Sequence, residues 1–516
     1  MTARKLPIAG YILILNYEVI KEMERLTKKI SNPVERPVKV IQFGEGNFLR
    51  AFVDYMFDVV NEKTDFNGSV VIVKPIEFGN LDRFHEQDCQ YTLQLRGIEN
   101  GEAKVDTRII TCVSDAVAAI EDYEKYSALA KLDSVRFVVS NTTEAGIVFN
   151  ETDQFDAKPP KTYPGKLTKF LFERYQHFNG AKDKGLILIP CELIADNGIE
   201  LKKCIFQFID LWNLGEEFKA WVEEACSFCP TLVDRIVPGY PRDEAAELCE
   251  KFGYEDQLID TAEIFGLWVI ESDKDLEALK KELPFDKAGL PVVFTDDHHP
   301  YKERKVRILN GSHTSFVLAS FLAGNDLVKQ SMDDSTIRKF MEETLFDEVI
   351  PTLSLPEEEC KEFAAAVIDR FQNPYIKHKL LDISLNSVSK WEARCLPSFL
   401  GYVEKFGKLP KYLTFSIAAL MSFYSTQKDG EVNGGRCLIG NRNGEEYAIR
   451  DDQAVLDFFQ ENSGKEPKEF AQAYLSTEKF FGQDLSKVDG LVDAVAGYIA
   501  DIRAKGMRAV VEELTK

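Results

Sequence analysis

The segment Pro37-Val38-Lys39-Val40-Ile41-Gln42-Phe43-Gly44-Glu45-Gly46 constrains this chain most, because an apolar run stops at two glycines and then resumes with helical spacing. Residues 37–43 read as a strand buried on both faces, and residues 51–60 place apolar side chains near i, i+3, i+4 and i+7, as an amphipathic helix does. Strand, tight turn and helix in that order open a parallel α/β layer. Glycines at the turn let the backbone approach an anion closely, and the helix offers its first N–H groups and the positive end of its dipole. Phe43, Gly44, Gly46, Asn47 and Phe48 are therefore candidate contacts to a dinucleotide. Leu49 stands where the third glycine of the common pattern would be, and the same residues also suit a plain strand-to-helix turn.

Further branched runs follow at 69–73, 107–111, 136–140 and 185–190, several of them separated by helix-like stretches such as 116–132. Alternating strands and helices with nearly continuous apolar strands predict a sheet covered on both faces. After about residue 294 the pattern becomes helical, at 312–323, 334–345, 357–371, 391–406, 413–423, 452–459 and 491–513, with no comparable series of strands. The expected organisation is an extension over 1–36, a Rossmann-like doubly wound α/β domain over 37–295, and a mainly α-helical domain over 296–516. No internal repeat or low-complexity segment interrupts it.

An acidic residue after the second strand would accept from the ribose 2′-hydroxyl of NAD. Here Lys74 occupies that spot and Glu77 is the nearest carboxylate; a lysine also suits a 2′-phosphate, so these residues leave NAD and NADP both open.

The helical half opens with Arg304-Lys305-Val306-Arg307-Ile308-Leu309-Asn310-Gly311-Ser312-His313. On an α-helix Asn310 and His313 share a face, and Lys305 lies about 80° around from His313, two turns earlier. A base, an amide and an imidazole then converge. Carbonyl reduction by a nicotinamide needs a proton donor for the alkoxide and a polar clamp on its oxygen. Lys305 suits the first role, Asn310 the second, and His313 can hold a neighbouring hydroxyl. The same three residues also fit a solvated basic helix start with a satisfied histidine. Asp296, Asp297, His298 and His299 offer a metal-dependent isomerase or epimerase as the reading from another class; adjacent histidines rarely face one ion, and Pro300 marks a turn.

The ten cysteines lack framework spacing, as expected of reduced thiols in the cytoplasm, and the lone pair Cys226/Cys229 is expected to be structural. Residues 6–19 resemble a signal core but lack a cleavage site and are too short to span a bilayer, so a dispensable extension with Met23 as initiator is expected. With 63 basic and 85 acidic residues the net charge is −22, which argues against nucleic acid and anionic membrane as partners. No assembly state follows from these patterns.

The segments 43–52 and 305–313 together resemble the mannitol dehydrogenase family, the polyol-specific long-chain dehydrogenases, from about Pro37 to near the C-terminus. The resemblance implies a metal-independent oxidoreductase using NAD, with Lys305 as general acid and base and Asn310 and His313 at the reacting oxygen and its neighbour. Segments 189–198 and 231–241 look most like the uronate-reducing branch, implying a small sugar-acid substrate, with other ketouronates and polyols of the family as alternatives. That branch resemblance leaves Leu193 where other branches carry an asparagine, and Asn197 as the candidate replacement. Arg235, Arg304 and Arg307 are the candidate partners of the substrate carboxylate, since a guanidinium fork suits it.

Overall fold

The computed structural model describes residues 23–99, 101–143, 145–272, 274–432 and 434–516. The expectation for 6–19 lies outside them. Two compact units emerge: Met1–Leu95, Asp106–Ala262 and Gly266–Asp296 form the first, and Arg96–Val105, Glu263–Phe265 and Asp297–Lys516 the second.

The first unit is built on six parallel strands, β1 (Val38–Phe43), β2 (Ser69–Lys74), β3 (Val113–Ala118), β4 (Phe137–Ser140), β5 (Ile187–Pro190) and β6 (Ser227–Phe228). They lie in the order β3-β2-β1-β4-β5-β6, the doubly wound arrangement whose direction reverses between β1 and β4. Val and Ile dominate because side chains on both faces must be apolar: every residue of β2 is buried, and Ile41 of β1 pairs with Val71 on one side and Val138 on the other. Leu167, Phe170 and Leu171 of helix Tyr163–His177 and Leu201 and Ile205 of helix Asn197–Leu211 join these strands in one core.

One expected strand is displaced. Residues 107–110 belong to the hairpin Tyr91–Glu99/Glu102–Ile110, and the sheet strand is Val113–Ala118, which overlaps the expected helix at 116–132. The helix starts only at Tyr123, where the Asp122 carboxylate accepts from the Lys125 backbone N–H and caps it. Before β1, Leu26 is fully buried, with its N–H bonded to the Glu255 carbonyl.

The second unit is mainly helical. Its longest buried helices include Gly311–Leu322, Glu357–Phe371 and Lys411–Phe423. It also contains a three-stranded antiparallel meander, Asp429–Val432, Gly435–Arg442 and Glu445–Ile449, which corrects the expectation of no strand series there. The last turn needs two left-handed residues, and Asn443 (φ 53°) and Gly444 (φ 94°) supply them. Among the described residues no helix is long and apolar enough to cross a membrane, and all ten cysteines are buried and outside any disulfide.

Candidate active site

In the first unit the turn after β1 carries Gly44 at φ +126°, a conformation that disfavours any side chain. A Cβ at Gly44 would lie 3.0 Å from Leu49 Cδ1 and 3.2 Å from the Asn141 carbonyl. The bulk that a third glycine would have removed is thus present as Leu49, and Gly44 makes room for it. A Cβ at Gly46 would meet nothing within 4 Å, so the backbone there is open to a ligand. The helix begins at Asn47–Leu49, passes through a π turn at Arg50–Asp54 and continues as Tyr55–Lys63. The buried Arg50 holds that start by donating to the Leu258 carbonyl (2.7 Å) and to Asn47 Oδ1 (2.5 Å).

A cavity of about 300 Å³ lies beside this turn, lined by Gly44, Glu45, Gly46, Pro75, Asn141, Thr142 and Lys166 among others. Gly44, Pro75 and Asn141 follow the carboxyl ends of β1, β2 and β4, where an open α/β sheet binds its ligands. Burial pushes the Lys166 ammonium down to about 8, and its Nζ donates to the Lys161 carbonyl at 2.6 Å. The open Gly46 backbone at a helix start fits a pyrophosphate.

Several expected contacts have other work. The Phe43 ring is buried against Tyr163, 5.1 Å between centroids, and belongs to the core. Phe48 stacks on Phe52 at 5.1 Å, Asn47 is exposed at the helix start, and Glu77 is exposed beyond β2. Lys74 is 1% exposed, its Nζ bonded to the Ile76 carbonyl (2.7 Å) and Glu121 (2.8 Å). It faces inward, which corrects the expectation that it could take a 2′-phosphate.

Asn197 is also committed. Its Nδ2 donates to the carbonyls of Pro190 and Glu192, both at 3.0 Å, while its Oδ1 accepts from the N–H groups of Gly198 and Thr231, both at 2.8 Å. An amide with both ends saturated cannot clamp a substrate oxygen, so Asn197 is corrected to a structural tie. Neighbouring Glu192 joins β4 to β5 by accepting from Ser140 Oγ (3.0 Å) and Thr142 Oγ1 (2.9 Å); burial raises its pKa against these bonds. Arg235 is likewise internal, donating to the Ala51 carbonyl at 2.8 Å beneath the rings of Phe52 and Tyr55. The carboxylate role expected for it is not supported by that placement.

In the second unit Lys305–Asn310 is a π turn, and helix Gly311–Leu322 continues from it. The Gly311 N–H bonds the Val306 carbonyl five residues back. The wider turn corrects the α-helical angle expected between Lys305 and His313, and single π turns of this kind concentrate at functional sites. Lys305 is half-buried. The Asn310 side chain has no hydrogen bond among the described residues, and its carbonyl accepts from Thr314 Oγ1 at 2.9 Å.

His313 is buried, and its Nε2 has no partner among the described residues. Burial, then His378 and the nearby cations Arg370, Arg394 and Lys390, hold its pKa well below the usual value. The imidazole is therefore neutral, able to donate through one nitrogen and accept through the other.

Arg304 is buried over Phe363 (4.5 Å) and Tyr301 (5.3 Å), and Arg307 pairs with Glu303 at 2.8 Å. Arg307 is thus occupied by a carboxylate, which corrects the expectation for it, whereas Arg304 has no carboxylate partner among the described residues and its Nε is unbonded. Asp297 accepts from the His299 backbone N–H (2.9 Å) and Nδ1 (2.7 Å).

A switch-point turn open to a pyrophosphate and a helical unit bearing Lys305 with an unbonded amide and imidazole characterise a nucleotide-dependent dehydrogenase of two units. The chain matches the mannitol dehydrogenase Rossmann domain over residues 38–283 and the mannitol dehydrogenase C-terminal domain over 297–502. It belongs to the mannitol dehydrogenase family. It is 46% identical over 499 residues to altronate oxidoreductase of Escherichia coli O7:K1, covering 95% of this chain and 100% of that protein. Altronate oxidoreductase of Enterobacter sp. is 46% identical over 485 residues, covering 93% and 97%. The fold is shared with substrate-free D-sorbitol dehydrogenase (TM-score 0.76, 22% identity, 94% of this chain and 100% of that one). It is also shared with Pseudomonas fluorescens mannitol 2-dehydrogenase in its ternary complex with NAD and D-mannitol (TM-score 0.64, 22% identity, 95% and 99%).

The sequence reading missed Asn141, Thr142 and Lys166. The signal for Asn141 and Thr142 was the end of the strand at 136–140, which a parallel sheet places beside the first strand; Lys166, on helix Tyr163–His177, had no such signal.

Proposed function

We propose that this chain catalyses the NAD-dependent reduction of D-tagaturonate to D-altronate, and its reverse, without a metal ion. The observation that carries the reading is the 46% identity to altronate oxidoreductase over 95% of the chain. D-tagaturonate is the ketone that two-electron oxidation of altronate yields.

When bound at the Gly44/Gly46 turn, the nicotinamide supplies or takes up the hydride. The Lys305 ammonium gives a proton to the alkoxide oxygen formed at the substrate carbonyl, and its free amine takes that proton back in oxidation. Asn310 donates its amide N–H to the same oxygen, a role supported by its lack of any other bond. Neutral His313 holds an adjacent hydroxyl through Nε2, which meets the polar need that burial leaves open. The inward-facing Lys74 supports NAD over NADP. Ten buried cysteines outside any disulfide support a cytoplasmic setting.

NADH absorbance with D-tagaturonate, D-fructuronate and D-fructose tests this. D-tagaturonate is expected to give the highest kcat/KM, and a higher value for either of the others would overturn the assignment.

A further inference from the structure

Helix Ser387–Arg394 carries Lys390 and Arg394 one turn apart. Both are half-buried, and neither makes an ion pair among the described residues. Lys390 Nζ donates to the Ile383 carbonyl at 3.0 Å, and Arg394 Nη1 reaches only Thr314 Oγ1 at 3.3 Å, one residue past His313. Asp451, the acid that most offsets Lys390, is engaged by the Tyr424 hydroxyl at 2.5 Å.

The third cation near His313 shows the contrast. Arg370 is fully paired, its Nε and Nη2 on the two oxygens of Glu263 at 2.9 and 2.7 Å. In a chain of net charge −22 carboxylates are plentiful, yet the half-buried Arg394 pairs with none of them among the described residues. Withdrawing such a charge part-way from water carries a cost that a bound anion would offset. Beside these two cations, His378 meets His313 edge to face at 5.3 Å, and the unpartnered Nε2 of His313 adds a second polar group in want of a ligand.

We propose that Arg394, with Lys390 one turn before it, seats the carboxylate of the sugar acid and so sets the preference for a uronate; this rests on the substrate class given above. The geometry suits it: Arg394 borders Thr314, four residues after Asn310 and one after His313, so an anion there is attached to the molecule whose carbonyl and hydroxyl those residues address. A guanidinium holds a carboxylate through two parallel N–H donors, and the ammonium adds a point charge.

The test uses the full chain with NADH and D-tagaturonate. Arg394→Ala is expected to raise KM roughly 100-fold with a much smaller change in kcat, as loss of one partner of a desolvated charge pair does. Arg394→Lys should recover part of the loss, and added guanidinium ions should lower the KM of Arg394→Ala. NADH binding by fluorescence reports that each variant is folded; if the alanine variant does not fold, Arg394→Gln carries the same measurement. A KM within about threefold of wild type, or a raised KM that neither Arg394→Lys nor guanidinium improves, overturns the proposal. A wild-type enzyme that turns over neutral ketoses but no ketouronate instead overturns the substrate reading beneath it.

Discussion

The ring of His313 lies over that of Phe371, with centroids 4.2 Å apart and planes inclined by 26°. A charged imidazolium is poorly solvated in that sandwich, and the surrounding cations disfavour it further. The ring is expected to stay neutral throughout the physiological range, so its NMR signals should not titrate between pH 8 and 5. The linkage has a definite sign: below the unfolded value of about 6.5 the unfolded chain binds a proton that the folded ring excludes. His313 therefore lowers stability as pH falls from about 6.5. Denaturant unfolding of wild type and His313→Asn at pH 7.5 and 5.5 should show a larger drop in the wild type.

Lys305→Ala should lower kcat by roughly 10²–10⁴-fold while NADH still binds, because the proton donor is removed and the cofactor seat is not. EDTA should leave wild-type turnover as it was. A kcat within tenfold of wild type would remove Lys305 from the proton transfer.

Gly44→Ala places a Cβ at φ +126° and 3.0 Å from Leu49 Cδ1. Relief of the contact alone does not relieve the backbone, so Gly44→Ala with Leu49→Ala should remain impaired. Both variants are expected to lose NADH affinity by at least tenfold in a fluorescence titration, and recovery by Leu49→Ala would show that crowding alone requires the glycine.

Lys74 supports β2 from within, through Glu121 and the Ile76 carbonyl. Wild type is expected to prefer NADH to NADPH by at least tenfold in kcat/KM. Lys74→Ala should lower the melting temperature and leave that ratio near its wild-type value; a collapse of NADPH use would place the lysine at the 2′-phosphate instead.

Glu348 accepts from the backbone N–H groups of Tyr412 and Leu413 at 2.8 Å, at the start of helix Lys411–Phe423, and burial raises its pKa to about 7. Between the usual carboxylate value of 4.5 and about 7 the unfolded chain ionises first, so the stability that Glu348 contributes falls as pH rises through that window. The stability difference between wild type and Glu348→Gln should be smaller at pH 8 than at pH 5 in urea unfolding.

What the sequence revealed was local chemistry. Gly44, Gly46 and the apolar strands β1, β2, β4 and β5 announce themselves because a two-sided strand and a tight turn each need particular residues at consecutive positions. The meander at 429–449 was passed over although Asn443-Gly444 is a strong hairpin signal, since its flanking strands are short and largely polar. The sequence offers Arg235, Arg304 and Arg307 as carboxylate partners, the last two because they adjoin Lys305 in the chain. Whether an arginine is open or occupied depends on its partners in space: Glu303 takes Arg307, Arg304 lies over Phe363 without a carboxylate, and no carboxylate pairs with Arg394 among the described residues. The π turns at 50–54 and 305–310 were invisible for a similar reason, since their residues have ordinary helical character.

The bidentate grip of Glu263 on Arg370 has a practical consequence for dissecting the molecule. Glu263 belongs to the second unit although some thirty residues of the first follow it in the chain. A fragment that begins at Asp297 keeps the arginine and discards its counter-ion, together with Arg96, whose carbonyl accepts from Asn373 Nδ2. Stranding a buried charge in this way costs about 3–5 kcal/mol, a large fraction of a typical domain's stability. The helical half is a spatial body without being a severable piece of chain, and only a circularly permuted or tethered design that retains residues 96–105 and 263–265 would let it stand alone.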